Sequence, residues 1–119
     1  MDVDDVTRRI IGSAIEVHKG LGPGLLESVY ETCLCHELDA NGIVYVRQSK
    51  VPITYKGINL ECGYRLDLLV ENKVIVELKS VDKLTTLHDA QLISYLRLTS
   101  VNVGLLINFN VPTLTKGIK

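Results

Sequence analysis

An α/β sandwich around one mixed sheet is the fold class this sequence predicts, and three observations carry it. Apolar residues follow helical spacing from Val3 to Val17 and again towards Ala40. Short runs rich in β-branched and aromatic residues then alternate with turn signals from Ile43 to Val81. A last helical stretch precedes a final strand. Two helices, three or four strands, one helix and one strand, in that order, bury their apolar faces most simply as helices covering a sheet.

The first helix places Val3, Val6, Ile10, Ile11, Ala14 and Val17 along one face. "KGLGPG" breaks it, and Pro23 suits the first turn of a second helix running from about Gly24 to Ala40. Asn41-Gly42 ends that helix. Leu25, Leu26 and Val29 are expected to pack on the sheet, which leaves Glu27 as a carboxylate among core-like residues. Burying such a group costs free energy unless it is paired or bound.

The expected strands are Ile43 to Gln48, Val51 to Tyr55, Ile58 to Val70, Lys73 to Val81 and Val103 to Phe109. Lys56-Gly57 and Glu71-Asn72 read as turns, and a third helix spans about Thr86 to Leu98. With 119 residues and no linker-like segment, residues 1–119 are expected to form one domain with a single core.

Composition narrows the function classes. Hydrophobic residues make up 46% and charged residues 23% of the chain, as in soluble globular proteins. No apolar run approaches the roughly 20 residues of a membrane span. The N-terminus lacks the apolar core of a secretion signal, so no membrane association and a cytoplasmic location are expected. A net charge of −1 argues against broad phosphate binding by the protein surface, although a bound cation would change the balance locally. Cys33 and Cys35 point roughly 200° apart on a helix, and Cys62 and the histidines complete no zinc pattern. Reduced thiols are expected. His18 reads as a capping or otherwise satisfied histidine, and His88 as a solvated one.

The hairpin from Ile58 to Val81 carries the chemistry. If its turn centres on Asn72, Leu66 meets Leu78, Leu68 meets Val76 and Val70 meets Val74, giving one apolar face. The same register sets Asp67 opposite Glu77, at about 4.5–5.5 Å between Cβ atoms, where like charges are destabilising. A slip by one residue would turn the apolar set outward. Protonation of one acid, the nearby Lys79, or a divalent metal could relieve the repulsion. Glu77 and Lys79 share a face because they are two apart on a strand. On the third helix, Gln91 and Tyr95 lie one turn apart on one face.

These residues resemble the D…ExK core of the PD-(D/E)XK nuclease superfamily. The words "VHKGLGPGLLESVYE", "YRLDLLVENKVIVELKSV", "HDAQLISYLR" and "GLLINF" extend the resemblance to its GxxExxY family, with Gly24, Glu27 and Tyr30 as the namesake motif. The match runs from about Val6 to Lys119, with Leu66 standing where the superfamily's proline would be. The resemblance implies a restriction-endonuclease-like three-layer sandwich, with a central mixed sheet of four or slightly more strands flanked by helices. It implies that Asp67, Glu77 and the main-chain carbonyl of Leu78 hold Mg²⁺ or Mn²⁺, with Glu27 as a further acid. Lys79 would position or activate the attacking water, and Gln91 and Tyr95 would line the site.

The expected function is therefore metal-dependent hydrolysis of nucleic-acid phosphodiesters, with DNA as substrate. So small a domain leaves specificity to a homo-oligomer, a protein partner or nucleic-acid structure. The alternative is a catalytically inactive module that binds nucleic acid, a small ligand or a protein partner.

Overall fold

The computed structural model describes residues 1–61 and 63–119. Helix α1 (Val3–Leu21) is capped by Asp2, whose carboxylate accepts the Asp5 N–H at 2.9 Å. It buries Val6, Ile10, Ala14 and Val17, the stripe the spacing sets. His18 is buried and satisfied, with its Nε2 2.8 Å from the carbonyl of Val111.

Helix α2 (Glu27–Ala40) starts later than expected and buries a different face. Leu25, Leu26 and Val29 are 39%, 73% and 38% exposed, so they do not pack on the sheet. Gly22 (φ 71°) and Gly24 (φ 94°) hold left-handed backbone, which keeps the chain out of the helix until Leu26. The core seat goes to Tyr30, followed at four-residue steps by Leu34 and Leu38. Tyr30 stacks on Phe109 with centroids 4.4 Å apart. Its hydroxyl donates to the Gly22 carbonyl at 2.6 Å and accepts the Leu25 N–H at 3.1 Å. The buried ring thus keeps its polar end satisfied while stapling the loop before α2.

The strands are β1 (Tyr45–Lys50), β2 (Ile53–Tyr55), β3 (Ile58–Leu60), β4 (Arg65–Val70), β5 (Val74–Lys79) and β6 (Val103–Asn108). The main sheet has the order β1-β4-β5-β6, antiparallel except for the parallel β5–β6 pair. Helix α3 (Thr86–Thr99) makes the crossover that a parallel pair requires. Strands β2 and β3 form a separate hairpin, turned by Lys56 (φ 47°) and Gly57 (φ 82°) with the backbone sign of a tight two-residue loop. The run from Ile58 to Val70 is two strands rather than one. Gly63 (φ 75°) redirects the chain between them, and Cys62 lies outside the described residues.

Three layers result. On one face of the sheet, α1 and α2 pack with Leu68, Val70, Val74, Val76, Leu78, Leu105 and Ile107. On the other, Leu92 and Tyr95 of α3 pack with Ile75 and Leu106. The register of the central hairpin matches the sequence reading at Leu68–Val76, Leu69–Ile75 and Val70–Val74. Its apolar face is not continuous, however: Leu66 joins the α3-side cluster instead of following Leu68. The ladder stops where Asp67 begins.

At the N-terminus of α3, Thr85 and His88 form a reciprocal cap. His88 is half-buried rather than simply solvated, and it accepts the Thr85 N–H on Nδ1, so it has a structural task. Among the described residues, no helix is long and apolar enough to cross a membrane.

Candidate active site

The two acids of the hairpin meet, but not as a simple cross-strand pair. Asp67 Oδ2 accepts the main-chain N–H of Leu78 at 2.8 Å, taking a position a backbone carbonyl would otherwise fill. Opposite it in β1, Gln48 has φ 50°, a left-handed conformation at which the pairing of the strand is interrupted. The β1–β4 ladder accordingly pairs Arg47 with Leu68 and Ser49 with Leu66, and skips Gln48 and Asp67.

Glu77 is only 4% exposed, and its Oε1 has no hydrogen-bond partner among the described residues. Burial pushes its carboxyl up to about 9; Asp67 adds to the rise and Lys79 opposes it. Without a cation, Glu77 therefore keeps its proton at neutral pH. Of the three ways to relieve the pair, protonation operates in the metal-free protein.

The main chain of Leu78 also faces the pair. The Lys79 carbonyl accepts the Phe109 N–H at 2.9 Å on the β6 side. Successive carbonyls of a strand point to opposite neighbours, so the Leu78 carbonyl points to the β4 side, as its N–H does. Lys79 is half-buried and two positions beyond Glu77. Tyr95 is 7% exposed. Burial raises its hydroxyl pKa, and Glu77, Tyr64 and Asp67 push it the same way, which places it in the field of both acids. Gln91, one turn earlier on α3, is half-buried.

Glu27 stands apart. It is exposed, and among the described residues it forms no hydrogen bond or ion pair with Asp67, Glu77 or Lys79. The reason is the face α2 buries: with Tyr30 in the core, the helix start is left at the surface. The segment still lies at the correct end of the sheet, because Ser80 Oγ donates to the Leu25 carbonyl at 2.6 Å.

A different helix acid is wired to Asp67. Glu31 is buried, takes the Arg47 guanidinium at 2.9 Å, and accepts from Gln48 Nε2 at 2.9 Å. The same Gln48 nitrogen lies 3.4 Å from Asp67 Oδ1. Asn108 forms a second support: its Nδ2 donates to the Val81 carbonyl at 2.9 Å and its Oδ1 accepts the Val81 N–H at 3.1 Å, fixing the chain just after Lys79. The sequence reading missed all three residues. Glu31 carried a signal, since it lies one turn from Glu27 on the same helix face; Gln48 and Asn108 carried none.

The donor set fits a hard divalent cation. It offers two carboxylates, one with an orphaned buried oxygen, and a main-chain carbonyl directed to the same side. Among the described residues, no group of three or more His, Cys, Asp or Glu is placed to hold a metal, so waters or substrate oxygens would complete the coordination.

Residues 4–119 match the family model of the PD-(D/E)XK nuclease superfamily. No curated protein and no solved structure matches the chain. The α/β fold, with its mixed four-stranded sheet and three helices, is consistent with the restriction-endonuclease-like architecture expected from the sequence.

Proposed function

The chain belongs to the PD-(D/E)XK nuclease superfamily, and on that premise we propose that it is a divalent-metal-dependent nuclease of the GxxExxY type, hydrolysing DNA phosphodiester bonds. The observation that carries this reading is the buried Oε1 of Glu77, beside Asp67 and without a hydrogen-bond partner among the described residues. A domain rarely keeps such an atom without a partner to fill the gap.

In this reading Asp67, Glu77 and the Leu78 carbonyl hold Mg²⁺ or Mn²⁺. When bound, such an ion lowers the pKa of a coordinated water and offsets charge on the phosphate. Glu77 would have to be a carboxylate, without its proton, to serve as a ligand. Asp67 is held in place by the Leu78 N–H and by Gln48, so its second oxygen is aimed before substrate enters. Lys79 orients the attacking water and donates to the oxygen on which charge develops. Tyr95 and Gln91 line the α3 side of the phosphate. Glu27, exposed at the start of α2, acts from the rim through water, while the left-handed Gly24 and the Tyr30 staple fix the loop that presents it.

A second reading is a non-catalytic module binding nucleic acid, a small ligand or a protein partner. The net charge of −1 favours it, because tight binding through phosphates usually goes with a positive excess. Cleavage of single-stranded, branched and duplex DNA with Mg²⁺ or Mn²⁺, by the wild type and by Glu77→Ala, separates the two. The nuclease reading expects metal-dependent products that the variant does not form. Equal traces in both proteins would remove it.

A further inference from the structure

On the side of the β2–β3 hairpin lies a groove of about 560 Å³ whose lining includes Lys50, Ile53, Leu60, Tyr64 and Arg65, with Glu61 as its one acid. Two of its features are unexplained by the fold. Lys50 and Arg65 are directly opposed in the β1–β4 register, and neither forms an ion pair with an acid among the described residues, although Arg65 donates to the Gln48 carbonyl at 3.2 Å. Like charges in that position are destabilising, and an anion held between these two exposed side chains would relieve the repulsion. Tyr64 is 49% exposed, yet its ring stands 6.4 Å from that of Tyr95, at 59°. It therefore reaches from the groove towards Tyr95, which lies in the field of Glu77 and Asp67.

We propose that this groove holds single-stranded DNA flanking the cleaved bond, with Tyr64 as the stacking platform for an unpaired base and Lys50 with Arg65 as the clamp on a neighbouring phosphate. The inference rests on the nuclease reading and names the substrate class of that site. An exposed ring offers its face only to a base that is not already stacked in a duplex, and stacking of this kind is tolerant of sequence. The opposed cations match the charge of a phosphate, and their repulsion is relieved when one binds. Duplex binding draws instead on many phosphate contacts, which a chain of net charge −1 is poorly equipped to make. The groove's volume lies within the roughly 300–1,000 Å³ usual for small-ligand sites.

The test is fluorescence anisotropy of a labelled twelve-nucleotide oligo-dT and of a hairpin duplex, in EDTA so that no metal-dependent cleavage intervenes. Wild type is expected to prefer the single strand by about tenfold or more, and Tyr64→Ala to weaken its binding by about 5- to 150-fold. Tyr64→Phe, which keeps the ring, should bind within about twofold of wild type. Lys50→Gln with Arg65→Gln should reduce the slope of log affinity against log salt by about 1.4, the value for two phosphate contacts on a single strand. Equal affinity for the duplex, no binding of the oligonucleotide, or full affinity in Tyr64→Ala would each overturn the proposal. Metal-dependent cleavage together with an indifferent Tyr64→Ala would leave the nuclease reading standing and remove the groove. Tyr64-dependent binding without cleavage by any metal would do the reverse.

Discussion

The Asp67 carboxylate accepts the main-chain N–H of Leu78 at 2.8 Å, so a side chain stands where the β4–β5 ladder would have placed a carbonyl. That substitution opens the hairpin at the level of Glu77. It lets two acids face one another without completing the sheet between them, and it directs the Leu78 carbonyl towards the same opening.

Glu77 makes the metal-free protein less stable as pH rises. Its folded pKa of about 9 lies above the ordinary carboxyl value of 4.5, so the folded state holds a proton that the unfolded state releases. The resulting stability is full below about pH 4.5, falls as pH rises from there, and is lost by about pH 9. Glu77→Gln should flatten this slope and, at pH 8 without metal, raise stability by about 1–3 kcal/mol. Urea unfolding at several pH values in EDTA measures both effects.

Glycines provide a control on the packing around Lys79. A Cβ on Gly117 would lie 2.2 Å from the Asn108 carbonyl oxygen, whereas a Cβ on Gly12 meets nothing within 4 Å. Gly117→Ala should destabilise by about 1–3 kcal/mol, because backbone must move. Gly12→Ala, inside α1, should stabilise by about 0.5–1 kcal/mol. Thermal unfolding of the two variants gives opposite signs if the packing is as described.

The helix acids are ranked by their contacts. Glu31→Gln breaks the pair with Arg47 and leaves a guanidinium without its carboxylate, so it should lower both stability and activity, by about 3–5 kcal/mol in stability if the pair is fully desolvated. Arg47 is partly exposed, which moves the expected stability loss to less than that. Glu27→Gln should leave stability unchanged and reduce cleavage less than Glu77→Gln does. Denaturation and initial rates, measured side by side, check the order.

Much of this arrangement was legible in the sequence. The hairpin register followed from Leu68, Val70, Val74 and Val76, because a period of two leaves only one way to keep them in the core. The turn at Lys56-Gly57 followed from local chemistry, and His18 is satisfied as expected, though by the distant Val111 carbonyl rather than by a helix end. What was not legible depended on competition between residues. Leu25, Leu26 and Val29 looked like core until Tyr30 took the seat against Phe109, and Glu27 was left outside with them. Gln48 reads as an ordinary strand residue, yet its left-handed backbone is set by the break opposite Asp67. Leu66 changed sides at the same break, which no periodicity could announce.

Calorimetric titration with Mn²⁺, at several pH values, tests the central claim that Asp67, Glu77 and the Leu78 carbonyl form one cation site. Wild type should bind the ion with release of the Glu77 proton, more tightly as pH rises towards about 9, and Glu77→Gln should lose that binding while remaining folded. An absence of Mn²⁺ binding at millimolar concentration, or equal binding by Glu77→Gln, would contradict it.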